Sequence, residues 1–266
     1  MNKQPQDTII DKYRLVNPEL EKYNIFLPQH YKNNHTLRIM SWNIYQCKIS
    51  SFKNIENVIK KINPDIYCLQ EHKLNGEVFF PNNYPFVVRT ISEGMLENII
   101  ASKYPILSST ILKIEDNRNT IEALFDIGLY TISLHNIHLP VSNSNQRQTS
   151  IKKIIESNQN SVILGDFNSY RKLELCEEDL NKLSMLKKDY GYPNIFEAID
   201  IMEEIGYTDS FCKSKANPPK NTSIFGGRVD FVYFPQLAEY EKINSYTYFN
   251  GESDHLPIIS DIVKKF

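Results

Sequence analysis

The chain has 266 residues and a mass of 31.1 kDa, a length that suits one large domain better than two full ones. Lys plus Arg number 30 and Asp plus Glu 32, a net charge of -2, which excludes a wholly basic protein that coats nucleic acid but leaves room for a local basic patch. Hydrophobic residues at 41% and charged residues at 23% are enough to bury a sizeable core and too apolar for a disordered chain.

Residues 1–36 carry Pro, Asn and Gln with little periodicity, apart from a short helix expected around Pro18 to Tyr23. They read as an N-terminal extension on a domain spanning 37–266. From Leu37, LRIMSWNI reads as a strand, and Ile55, Val58, Ile59 and Ile62 form a helical stripe behind Ser51 as cap, ended by Asn63-Pro64. The strands DIYCLQ, YPFVVRT, NIIAS, ILSSTILKI, TIEALFDIG and LYTISLHNIHL follow, then a helix carrying Ile151, Ile154 and Ile155, then the strand SVILGD. Leu173, Leu180, Leu183 and Leu186 suggest helix within 170–190, and Ile195, Ile199, Met202 and Ile205 a helix over 195–206. Strands near Arg228–Phe234, Tyr246–Phe249 and Leu256–Val263 close the chain. Such mixing of strands and helices predicts a layered α/β domain.

Charge interrupts every apolar run of the first 23 residues, and no segment of the chain reaches the roughly 18 apolar residues of a membrane span; the chain reads as an intracellular monomer. Cys47, Cys68, Cys176 and Cys212 form no C-x-x-C pair and read as reduced thiols.

Polar residues stand at the ends of apolar strands: Asn43, Glu71, Asp166, Asn168, Asp230, and Asp254 with His255. Strand ends are where α/β sheets assemble sites. One carboxylate after a strand is ordinarily a loop residue or helix cap. The set, with no matching number of bases beside it, describes a hard, oxygen-rich cation site. Asp166 and Asn168, two apart, can face one pocket while Phe167 enters the core, and Gly165 permits the turn. Asp254 and His255 serve one site only if the backbone bends between GES and Pro257. His138 shares a face with Ile132, Leu134 and Asn136, and His135 lies opposite.

SWNI with Asn43, LQE with Glu71, NIHLP with His138, GDFNS with Asp166 and Asn168, GRVDFVY with Asp230 and SDHLPI with Asp254 and His255 resemble, in order, the motifs of the endonuclease/exonuclease/phosphatase superfamily. The similarity runs from about Leu37 to Val263, and ENIIASKYPI and the Arg147-Gln148 helix are secondary marks of it. The resemblance implies a deoxyribonuclease I-like α/β fold, a four-layer sandwich of two packed mixed β-sheets flanked by helices. It also implies a phosphoric ester hydrolase that uses Mg2+, with Mn2+ as a substitute, held by Glu71 with help from Asn43 and Asp254. On the family pattern Asp166 and Asn168 position the attacking water and the phosphate, and Asp230 orients His255. His138 contacts a phosphate oxygen or assists the leaving group, and either Asp166 or His255 takes the proton.

Within that family, LGDFNSYR and FGGRVDFVY lack the tryptophan-bearing patterns of inositol 5-phosphatases, and NIHLP stands where abasic-site nucleases resembling exonuclease III have a tyrosine segment. These departures move the resemblance toward the deoxyribonuclease I, sphingomyelinase and tyrosyl-DNA branch. With tyrosines near the motifs and no amphipathic cationic helix for a membrane surface, the expected substrate is nucleic acid, cleaved by a nuclease or DNA-end-processing enzyme, with lipid head groups or small phosphate esters as the alternative. A catalytically lapsed binding module is disfavoured because every motif position keeps its chemical type. Candidate substrate contacts are Arg228, Lys73 and Tyr170, followed by Lys48, Lys103, Arg171 and Tyr45.

Overall fold

The computed structural model describes residues 36–72, 83–90, 96–141, 143–178, 180–181, 195–213, 219, 221–236 and 240–264. Of the expected extension only Thr36 is among them, as the first residue of a strand; the helix expected around Pro18–Tyr23 lies outside the described residues.

Two crossover units organise the molecule. In the first, β1 (Thr36–Asn43) and β2 (Ile66–His72) are parallel and joined by α1 (Phe52–Ile62). In the second, β7 (Thr131–His138) and β8 (Val162–Asp166) are parallel and joined by α2 (Ser144–Ser157). Antiparallel strands extend each pair: β3 (Phe86–Arg89), β4 (Glu97–Ser102), β11 (Tyr240–Thr247) and β12 (Ile258–Lys264) around the first, and β5 (Ile106–Lys113), β6 (Asn119–Asp126), β9 (Thr208–Asp209) and β10 (Asp230–Phe234) around the second. The result is two mixed six-stranded sheets, ordered β11-β12-β1-β2-β4-β3 and β5-β6-β7-β8-β10-β9, with α3 (Glu197–Glu204) and α4 (Ser210–Lys213) completing the helices named here.

Strand alternation sorts the core into layers. Leu37, Ile39, Ile66, Cys68, Leu134, Leu164 and Val232 point inward and pack sheet on sheet. Met40, Trp42, Tyr67 and Leu69 point outward, onto Ile55, Ile59 and Ile62 of α1. On the other side Ile163, Phe231 and Tyr233 meet Ile151 and Ile154 of α2 and Ala198 and Met202 of α3. Each fully buried aliphatic side chain contributes roughly 1.5–3 kcal/mol. The arrangement is the expected helix-sheet-sheet-helix sandwich.

Local signals explain the boundaries. Ser51 caps α1, accepting from Asn54 N, and Asn63 in the left-handed conformation ends it before Pro64. The helix expected over 195–206 is shorter, because Ile195 precedes it and Gly206 (φ 94) terminates it, leaving Ile205 exposed. The helix expected within 170–190 does not begin at its first leucine. Leu173 is 85% exposed in a 3-10 turn, and the first helical bond runs from Leu180 N to Cys176 O; Leu183 and Leu186 lie outside the described residues. Among the described residues no helix is long and apolar enough to cross a membrane.

Candidate active site

The inner faces of both sheets turn from apolar to polar at the same end. Along β1 the inward series ends in Ser41 and Asn43, along β2 in Gln70, along β7 in Asn136 and His138, and along β8 in Asp166. Parallel pairing sets these C-terminal ends side by side. Antiparallel β10 places Asp230 opposite Asp166, and β12 starts beside Ser41, bringing Asp254 and His255 to the same end. Beneath them lies a buried amide layer between the sheets: Gln70 Nε2 donates to Asn136 Oδ1 (2.7 Å) and Ser41 Oγ (3.0 Å), while Asn136 Nδ2 donates to the carbonyls of Leu69 and Ile99 (3.0 and 2.8 Å).

Backbone distortions aim the side chains. A regular β2 would send Glu71 to the face opposite Gln70; instead the register against β4 breaks between Leu69 and His72, and Glu71 (φ 57) turns inward. Asn168 (φ 47) closes a turn in which its N–H donates to Asp166 Oδ1 (2.8 Å) and its Nδ2 to Leu139 O (2.9 Å). Tyr45, Gln46 and Cys47 form a left-handed turn (φ 47, 55 and 53) whose first N–H donates to Asn43 Oδ1 (3.0 Å). A bend at Gly251 (φ 71) lets the adjacent Asp254 and His255 serve one site.

Asn43 Nδ2 donates to Glu71 Oε1 (3.2 Å) and Asp166 Oδ2 (3.1 Å). Its oxygen is taken by Tyr45, so Asn43 orients the two carboxylates across the sheet interface. His138 Nε2 is buried, has no hydrogen-bond partner among the described residues, and lies 3.6 Å from both Glu71 Oε1 and Asp166 Oδ2. His255 Nδ1 lies 2.8 Å from Asp230 Oδ2, and its Nε2 faces Asp166 Oδ2 at 3.9 Å. Ser253 Oγ donates to Asn43 O (2.7 Å) and accepts from His255 N (3.2 Å), fastening the loop to β1.

Burial pushes the Asp166 carboxyl up and Asp230 adds to the rise, while His255 opposes it. Burial likewise raises Asp254, with Glu71 and Asp166 adding to it. Burial opposes charge on His255, yet Asp230, Asp166 and Asp254 outweigh it and hold the imidazole well above its ordinary value. His138 is driven well below its ordinary value, by burial first and then by Arg118 and His255, and is neutral. Glu71, Asp166, Asp230 and Asp254 thus converge where His255 is the main compensating charge, a donor set that fits a divalent cation. Asp166, Asp230 and His255 offer ligand atoms within 4.8 Å of one another. Because His255 and Asp230 already hold each other, Glu71 is the carboxylate better placed for a cation.

Several expected substrate contacts are elsewhere. Arg228 is 2% exposed and ion-paired with Glu174 and Asp209, and Tyr170 is buried against Gly227; neither faces a substrate. Arg171 is engaged by Glu203, Glu174 and the Cys212 thiol. Lys103 follows β4 at the opposite end of the sheet, bound to Asn63 Oδ1 at 2.6 Å. Lys48 is exposed at the site end, its Nζ 4.9 Å over the Tyr45 ring; Lys73 lies outside the described residues. Sequence reasoning missed Arg118. Among the described residues its buried Nη1 has no hydrogen-bond partner, its Nε lies 3.7 Å from Asp116 Oδ2, and with His138, Asn98, Asp116, Asn117 and Asn119 it lines a cavity of about 210 Å³. One signal was available: it is the only Lys or Arg between Lys113 and Arg147.

The sequence model of the Endonuclease/Exonuclease/phosphatase family matches residues 40–255, from β1 through His255. The chain belongs to this family. Its members are phosphoester hydrolases, and the site just described is where the family motifs meet. No curated protein matches the chain. Solved structures share its fold. An endonuclease/exonuclease/phosphatase from Beutenbergia cavernae has a TM-score of 0.65 at 15% identity, over 86% of this chain and 72% of its own. An AP endonuclease from Archaeoglobus fulgidus gives 0.63 at 20%, over 86% and 100%. Truncated TDP2 from Caenorhabditis elegans gives 0.56 at 18%, over 86% and 97%.

Proposed function

We propose that this family member is a divalent-metal-dependent phosphodiesterase whose substrate is a nucleic acid strand. The observation that carries the substrate class is the Arg118 cavity. A guanidinium with an unpartnered nitrogen stands one side chain, His138, away from the reaction centre, which suits a neighbouring phosphate of a polyester strand. A lone phosphate ester would leave it unused.

Attack on a phosphodiester adds charge to oxygens that already carry it, so positive charge and fixed donors are required there. A divalent cation, Mg2+ or Mn2+, held by Glu71 and Asp254, with Asn43 orienting the Glu71 carboxylate rather than binding the ion, would supply that charge. Neutral His138 offers Nε2 to a phosphoryl oxygen. Asp166, buried and raised, is able to receive a proton from water, with Asn168 fixing its Oδ1. His255, charged and oriented through Nδ1 by Asp230, presents Nε2 to the same place.

The test is hydrolysis of a labelled single-stranded oligonucleotide beside sphingomyelin and phosphoinositide vesicles, with Mg2+ and with excess EDTA. Cleavage of the oligonucleotide is expected, lost in EDTA and lowered about 100-fold or more by His255→Ala or Asp166→Ala. Hydrolysis of the lipid and not the oligonucleotide would reject the nucleic-acid reading, and undiminished turnover in EDTA would reject the metal.

A further inference from the structure

We propose that Thr222 is a positioning residue that sets the Asp230–His255 pair, an inference that rests on the phosphodiesterase reading of the site. The two partners are 25 residues apart in sequence, and one buried residue binds both segments. Thr222 Oγ1 accepts from the N–H of Val229 (3.0 Å) and of Asp230 (3.1 Å). Its carbonyl accepts from Leu256 N (2.7 Å), Ile224 N donates to Asp254 O (3.0 Å), and Ser223 forms an antiparallel bridge with His255. The turn carrying these groups is closed by Thr222 N to Gly227 O (3.1 Å) and by Gly227 N to Asn221 Oδ1 (2.6 Å).

Asp230 opens β10: regular pairing with β8 continues on its C-terminal side, and on the other side Val229 O accepts from Phe167 N (2.9 Å). The Thr222 hydroxyl takes the two consecutive N–H groups there, so the Val229–Asp230 peptide is held by its carbonyl to Phe167 and by its N–H to Thr222. Among the described residues Asp230 Oδ1 has no hydrogen-bond partner, so within them the carboxylate is oriented by its backbone and by His255. Without the hydroxyl, two buried N–H groups lose their acceptor and the peptide turns to recover one. Oδ2 then leaves His255 Nδ1, and the imidazole loses the contact that fixes its tautomer and the direction of Nε2. Thr222 therefore influences the reaction through Asp230 without touching the substrate.

The test compares wild type, Thr222→Val and Thr222→Ser in the full chain, with Thr222→Ala replacing the valine variant if that one does not fold. Two quantities are read: turnover of the oligonucleotide with Mg2+, and the downfield proton resonance of His255 Nδ1–H. Thr222→Val, which removes the acceptor of two buried N–H groups, should lower kcat about tenfold, with KM unchanged and the Nδ1–H resonance shifted or broadened; Thr222→Ser should restore both. On an Asp230→Asn background Thr222→Val should cost less than twofold, since its effect passes through that carboxylate. An unchanged Nδ1–H resonance in the folded variant overturns the proposal, as does an equal loss on both backgrounds. Absence of turnover in wild type on the oligonucleotide and on both lipid vesicles overturns the phosphodiesterase reading instead, and the resonance still decides the role of Thr222.

Discussion

Arg228 lies between the Asp209 and Glu174 carboxylates, with its guanidinium carbon 4.1 Å from the centre of the Phe231 ring. Arg228 and Asp209 are buried and Glu174 is half-buried, and the planar fork satisfies both acids at once. Removing one member of a buried ion pair costs about 3–5 kcal/mol, because the partners keep their charge without compensation. Arg228→Ala should therefore lower stability to urea by that amount. At a temperature where the variant is folded, KM for an oligonucleotide should stay within about twofold of wild type, since no phosphate contact is lost. A raised KM with unchanged stability would return Arg228 to the substrate surface. In the sequence Arg228 is one basic residue two positions before Asp230, and the same fork suits a phosphate as well as two carboxylates; only burial separates the uses.

At the scale of one strand, β8 shows how closely the site depends on backbone approach. Gly165 has φ 147, and a Cβ there would lie 2.0 Å from the Ile137 carbonyl oxygen of the paired strand β7. The clash is with backbone, so no rotamer relieves it. Gly128, in the turn before β7, has φ 88 and nothing within 4 Å of its added Cβ. Gly165→Ala is accordingly expected to cost about 2–4 kcal/mol and to displace Asp166, whereas Gly128→Ala should cost about 1 kcal/mol of backbone strain and leave activity alone. Denaturant midpoints and turnover of the two variants check this, and equal costs would contradict it. Gly165 reads as a turn in the sequence; the forced contact with β7 becomes visible only with the parallel pairing.

Across the whole molecule, the site exists because two sheets are held together: Glu71 comes from one and Asp166 from the other, and Asn43 bridges them. Anything that loosens the sandwich therefore opens the site. His135, fully buried on β7 beside Thr120, is held down to about 4, by burial first, with Glu122 opposing. The folded-state value is below the ordinary 6.5, so folding favours the neutral ring. That stability is complete above pH 6.5 and is lost as the pH falls from 6.5 to about 4, on the order of 3 kcal/mol. The thermal midpoint should drop over this window, and less so in His135→Gln, which keeps a polar partner for Thr120 and removes the titration. Equal pH dependence in the variant would show that His135 is not the cause.

Local order was decided by the chain itself. The spacing of Ile55, Val58, Ile59 and Ile62 behind Ser51 gives α1 its buried face, and alternation in β1, β2, β7 and β8 sorts inward from outward residues, because these signals depend on neighbours within one or two turns. The ordered motifs likewise single out Asn43, Glu71, His138, Asp166, Asp230 and His255, since each stands where an apolar run stops. Tertiary structure alone decided what the remaining polar residues do. Glu71 faces the site through a register break against β4, Arg118 becomes its neighbour because the turn before β6 comes beside His138, and Arg228, Arg171 and Tyr170 are withdrawn from it by burial and ion pairing. Charge and size are properties of a residue, whereas exposure, partner and dielectric are properties of a place, and that place is created only when distant segments pack.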